Sequence, residues 1–138
     1  MATALVSLFS FPVGLLRLRE RIVPAAKADH LAEAQLLCRK GHYAAAASMA
    51  KAAIDNAMSD LALAAQPTLR RFHNGKRLMG FLRSVGRLDG KLCNDLTQHN
   101  HRTYELIHHP TGRRFEVSRL IAETEALCRT LRTLQLVK

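Results

Sequence analysis

The sequence predicts an all-α protein, an antiparallel bundle of four to five helices around one core, and three observations carry that expectation. Ala, Leu, Arg, Glu, Gln and Lys dominate, Trp is absent, and Val, Ile, Thr, Tyr and Phe are too scattered to alternate along strands. Apolar residues recur at spacings of three and four between breaks that contain Gly or Pro, which is the period of an amphipathic helix. A chain of 138 residues closes one hydrophobic core but is short for two, and no low-complexity linker divides it.

The chain divides into an apolar arm, residues 1–23, and a helical bundle, residues 24–138. Ala4 to Leu16 is apolar over 13 positions, short of the roughly 20 residues that span a bilayer, and Arg17, Arg19 and Arg21 follow it. No basic segment precedes the apolar run, so it does not read as a signal peptide. Pro12 and Gly14 interrupt it as a helix, and it is expected to pack on the domain or on a partner.

Pro24 suits the first turn of a helix running to about Lys40 through Leu31, Ala34, Leu37 and Cys38, with Gly41 as its stop. His42 to Ala65 continues as a second helix whose alanines permit close approach, so the two form a hairpin. A tetratricopeptide unit begins similarly, but no second copy follows at its period of about 34 residues. Pro67 and Asn74-Gly75 mark a surface connection that carries Arg70, Arg71 and His73. Lys76 to Val85 reads as a short helix ended by Gly86, and Leu88 to about Ile107 as a longer one. Pro110 and Gly112 stop it, and a last helix runs from about Arg114 to Leu136, with Val117, Leu120, Ile121, Leu127 and Leu131 toward the core.

The chain carries 21 Lys and Arg against 11 Asp and Glu, a net charge of +10, which favours a polyanionic partner. Charge alone does not say which one, and nucleic acid is favoured over a merely solvated basic face. Cys38, Cys93 and Cys128 lie far apart, without the close pairs of a zinc site, and read as buried thiols of a cytoplasmic protein.

Five of the seven histidines, His73, His99, His101, His108 and His109, fall between residues 73 and 109. The polar stretch TQHNHR within the fourth helix is costly on a core face, so it is expected to meet water, an interface or a ligand, with His99 and His101 as exposed polar residues. Tyr104 is expected to serve in packing. No carboxylate or cysteine completes a recognised metal set with His101, His108 or His109, and neither metal nor cofactor is expected. Arg102 pairs differently. On a continuous helix His109 returns to within about 20° of Arg102 two turns later, whereas His108 points away unless the helix ends first. Arg offers a permanent fork of donors to phosphoryl oxygens and His moves a proton near neutral pH, while RNA brings its own nucleophile, the 2′-hydroxyl.

The segment LAEAQLLCRKGHYAAAASMAKAAIDNAMSDL resembles the first helical hairpin of HEPN (higher eukaryotes and prokaryotes nucleotide-binding) domains, with their Gly-aromatic turn at Gly41 to Tyr43. HRTYELIHHPTG is similar to that family's motif of Arg, a polar residue, then His four to six residues further on. Both His108 and His109 satisfy that spacing from Arg102, and Thr103 fills the polar slot. The resemblance covers roughly residues 25–136. It implies an HEPN-like bundle that dimerises, brings two Arg/His motifs into a shared cleft and acts as a metal-independent endoribonuclease, as in a toxin or defence pair with an antitoxin or other protein partner; other members are non-catalytic binding modules. On that reading Arg102, His108 and His109 are the catalytic residues, and Arg70, Arg71, Thr103, Arg113 and Arg114 contact the substrate. Asp55, where related domains carry an acidic residue, is a candidate partner for Arg102.

Overall fold

The computed structural model describes residues 29–68, 75–109 and 113–137, and the arm of residues 1–23, Pro24, Arg70, Arg71 and His73 lie outside them. The described residues form five helices and no strand: α1 (His30–Arg39), α2 (Tyr43–Ala65), α3 (Gly75–Ser84), α4 (Gly90–His108) and α5 (Arg114–Gln135). None of these helices is long and apolar enough to cross a membrane.

Side-chain caps and glycine stops set the ends of the helices. Asp29 opens α1, its Oδ1 accepting from the Leu31 and Ala32 N–H groups at 3.2 Å each, and Asp89 opens α4 by accepting from Leu92 N–H at 2.7 Å. Gly41 and Gly86 have φ of +83° and +75°, a left-handed conformation that side chains with a Cβ rarely adopt. At both, the glycine and the residue after it return hydrogen bonds to the last turn: His42 N–H to Leu37 C=O and Arg87 N–H to Leu82 C=O, each at 2.9 Å. This doubly bonded stop satisfies carbonyls that a frayed helix would expose.

α2 is the central helix and packs against all four others, most extensively against α5. Its first half buries Ala46, Ala47 and Ala50, small side chains that let Ala34 and Cys38 of α1 approach closely. Its second half buries Ile54, Met58 and Leu61 together with Leu78 and Leu82 of α3. Residue numbers rise along α4 as they fall along the facing α5, so these two form an antiparallel hairpin.

The core separates into two apolar clusters. One gathers Leu78, Leu82, Leu92, Leu96, Cys128 and Leu131 around the second half of α2; the other gathers Leu106, Val117, Leu120 and Ile121 around its first half. Between Leu96 and Leu106 on α4 lie His99 and Thr103, and between Ile121 and Cys128 on α5 lies Thr124; all three are buried. His99, expected at the surface, is only 1% exposed. The reason is periodicity: residues 92, 96, 99, 103 and 106 continue one core-facing stripe, and the fold buries that stripe whatever its polarity.

Burial is tolerated because each polar group has a partner. Thr103 and Thr124 hydroxyls donate to the carbonyls four residues earlier, of His99 and Leu120, at 2.7 Å each. Thr124 Oγ1 also lies 2.6 Å from His99 Nε2. Its single proton is given to Leu120, so Oγ1 accepts from a protonated Nε2 of the neutral ring. Burial, then the charge of Arg102, then that of Lys51, lower the His99 pKa from 6.5 to about 4.

The unfolded chain therefore takes up a proton near pH 6.5 that the folded protein refuses until about pH 4. The contribution of neutral His99 is whole above pH 6.5 and is lost as pH falls through this window, amounting to about 3 kcal/mol. In urea denaturation, the unfolding free energy of the wild type is expected to fall by about that much more than that of His99→Leu between pH 6.5 and 4. A difference between the two proteins that does not vary with pH contradicts this assignment.

Candidate functional site

Directly outside the buried layer, the same two helices meet again. Arg102 follows His99 by one helical turn, and Glu123 precedes Thr124. Both Nε and Nη2 of Arg102 donate to one carboxylate oxygen, Glu123 Oε1, at 3.1 and 2.7 Å. The side chains are 44% and 36% exposed, so this is a surface ion pair set over an interior hydrogen bond. It also corrects the expected partnership of Arg102 with Asp55, because the Asp55 carboxylate accepts from Lys51 Nζ at 2.9 Å.

Beside Arg102 a groove of about 230 Å³ opens between the C-terminal half of α4 and the N-terminal half of α5. Arg102, Arg113 and Arg119 alternate in its lining with Glu105, Glu116 and Glu123, and Leu106 and Leu120 complete it. Arg113 faces Glu116 at 3.6 Å. The groove is thus lined by equal numbers of cationic and anionic side chains, with Arg102 and Arg113 each facing a carboxylate.

The two candidate histidines stand apart from this groove, and neither lines it. His108, the last residue of α4, is exposed, and its ring lies 4.2 Å from that of Tyr104 with the planes tilted by 47°. Tyr104 is itself 62% exposed rather than packed in the core. His109 is the C-cap of α4: its N–H bonds the Glu105 carbonyl at 2.8 Å while its φ of −135° and ψ of 65° leave the helical path. The return of His109 to the face of Arg102 assumed a continuous helix, and the helix ends one residue too soon for it.

The other expected contacts divide similarly. Thr103 is wholly buried beneath the surface, its hydroxyl committed to the His99 carbonyl, so it is a packing residue and not a contact for substrate. Arg113 lines the groove. Arg114 is exposed on another side of α5, in a cleft with Gln35 and Arg39 of α1. Arg119 and the three glutamates were not singled out from the sequence, although positions 113, 116, 119 and 123 follow helical spacing on α5. All three cysteines are free and buried, out of reach of surface chemistry. Among the described residues no three His, Cys, Asp or Glu side chains are grouped so as to hold a metal ion.

No family model matches the chain, and neither a curated protein nor a solved structure shows significant similarity to it. The chemistry of the site rests on the residues themselves.

Two bonds between α4 and α5, one buried and one exposed, should differ in worth. Thr124→Val removes the partner of the buried His99 Nε2–H and is expected to cost about 1–3 kcal/mol. Glu123→Gln is expected to change stability by less than about 1 kcal/mol, because water screens the pair it weakens. Urea denaturation of both variants at pH 7.5 measures the contrast, and equal losses would contradict it.

Proposed function

We propose that this protein binds RNA and engages the phosphodiester chain at the Arg102 groove and the adjoining end of α4. The observation that carries this reading is the state of Arg102: its guanidinium is half-exposed and held through a single oxygen of a half-exposed carboxylate. A phosphodiester matches the carboxylate in charge and offers the same planar fork two non-bridging oxygens, and an RNA brings several such groups in a row, so the chain can displace Glu123 without disturbing the buried bond beneath. Arg113 and Arg119 stand along the same groove to receive neighbouring phosphates. The net charge of +10 draws a polyanion toward the chain, and the resemblance to HEPN domains supports RNA as that polyanion.

A second reading, a metal-independent endoribonuclease of HEPN type, is favoured by a separate observation. His108 and His109 are exposed at the end of the helix that carries Arg102, and Tyr104 and Phe115, the latter 85% exposed, add apolar surface to the same end of the α4–α5 hairpin. A second copy of the chain would cover those aromatic rings and bring its own histidine toward Arg102, which the helix geometry of one copy alone does not do. One imidazole would then take the 2′-hydroxyl proton as the oxygen attacks phosphorus, and an imidazolium would protonate the departing 5′-oxygen. Arg102 would stabilise the negative charge gathered on the phosphorane oxygens. The products are a 2′,3′-cyclic phosphate and a 5′-hydroxyl, with no metal needed.

One experiment separates the readings. A labelled 20-nucleotide RNA is titrated with protein in EDTA at several salt concentrations, and the RNA is then examined for cleavage. Binding that weakens as salt rises is expected, with Arg102→Ala weakening it about tenfold and Glu123→Gln tightening it. Intact RNA identifies a binding module. Cleavage to 2′,3′-cyclic ends that falls at least about 100-fold in Arg102→Ala and in the paired His108→Ala/His109→Ala variant identifies the nuclease. Affinity indifferent to Arg102 and to salt would overturn both.

A further inference from the structure

Elsewhere on the surface charge is largely balanced within each helix or between neighbours: Lys51 with Asp55 on α2, Lys91 with Asp95 on α4, Arg129 with Glu125 on α5, and the Arg102 pair already described. α3 departs from this pattern. Between Asp60 and Asp89 the sequence contains no acidic residue, while it carries Arg70, Arg71, Lys76, Arg77, Arg83 and Arg87. No i,i+4 ion pair can form within α3, so the charges of Lys76 and Arg83 are not offset by any acid on their own helix.

The inner face of α3 is committed to the fold. Leu78 and Leu82 are buried, and Met79 and Phe81 pack half-buried against the same cluster. That orientation turns Lys76, Gly80 and Arg83 outward, and all three are exposed. At about 100° per residue they fall within a stripe roughly 60° wide, and Lys76 and Arg83 stand about 10 Å apart along the axis.

Gly80 sits between them, and packing does not ask for it. A Cβ built there meets nothing within 4 Å, whereas one on Gly75 would lie 2.7 Å from Asp55 Oδ1. The first glycine of this helix therefore has a close neighbour that would have to shift to admit a side chain, and the second has none. A glycine inside a helix lowers its stability relative to alanine, so an exposed one with open space above it is unexplained by the fold. A bare backbone between two cations does explain it, since it lets a phosphate chain lie against the helix with no methyl group in the way.

We infer that the Lys76–Gly80–Arg83 face of α3 is a docking surface for the phosphodiester backbone of single-stranded RNA, separate from the Arg102 groove; the inference rests on the RNA-binding reading and assigns it a second contact. The contact is assigned to phosphate and not to bases, because Phe81, the aromatic residue of α3, is packed toward the core and no other aromatic side chain stands among the residues of this helix. Binding here is therefore independent of base sequence and strongly dependent on salt.

The test titrates labelled oligouridine and a mixed-sequence RNA of equal length with the full chain and four variants, with helicity checked by circular dichroism. Lys76→Glu/Arg83→Glu is expected to weaken both RNAs equally, by about tenfold or more, and to reduce the slope of log affinity against log salt by roughly 1.4. Arg39→Glu/Lys40→Glu, the same charge change at the end of α1, is expected to weaken binding less than threefold. Gly80→Ala separates docking from structure: it is expected to raise the melting temperature by about 2–8 °C while weakening RNA severalfold. If the wild type binds no RNA, the RNA reading itself fails. If it binds, Arg102→Ala weakens it, and the α3 variants match the parent, the α3 face alone is refuted. Loss of binding to phosphatidylserine vesicles in the α3 double variant, with RNA affinity unchanged, would also refute it.

Discussion

The structure turns on one buried hydrogen bond, between the imidazole of His99 and the hydroxyl of Thr124. It joins α4 to α5 in the gap between two apolar clusters, whose contacts are not directional. A polar pair in that position is directional, because a helix shift would leave a buried ring N–H without its acceptor. The bond thus selects one register for the α4–α5 hairpin. That register sets Arg102 against Glu123 on the outside and opens the groove beside them.

The interior and the surface are also linked through charge. Burial first, and then the charges of Arg102 and Lys51, disfavour a proton on His99, so cations at the surface add to the effect that keeps the ring beneath them neutral. A neutral ring has one N–H to give, and Thr124 Oγ1 accepts it. Above, Glu123 offsets the charge of Arg102 without enclosing it, which leaves the guanidinium able to change partners. The cationic surface therefore divides into two kinds: arginines matched with carboxylates in the Arg102 groove, and a helix, α3, that has no acidic residue of its own.

Much of this fold was legible in the sequence because its signals are local. The left-handed glycines at 41 and 86, the alanine-rich α2 and the apolar stripe of α5 each predict an element that the structure contains. The start of α1 was less legible: Pro24 offers a plausible first turn, but Asp29, with a side chain able to accept from two free N–H groups, caps the helix that is described. The site was legible only in its residue types. Arg102 stands at the surface as expected, yet its partner lies 21 positions away on α5, where no local pattern points to it. His99 was misread for the opposite reason, since its polarity suggested water while its place in the stripe of residues 92, 96, 103 and 106 put it in the core. His109 depended on where α4 stops, and a single residue at a helix end decides which way a side chain leaves.

The most direct measurement of the central bond is the protonation and tautomeric state of His99 by nitrogen-15 NMR of the imidazole rings. The structure predicts that His99 remains neutral with the proton on Nε2 at pH 5.5, well below the ordinary histidine pKa of about 6.5, and that this ring alone loses its Nε2–H signature in Thr124→Val. A His99 ring that is protonated at that pH, or neutral with its proton on Nδ1, would contradict the account.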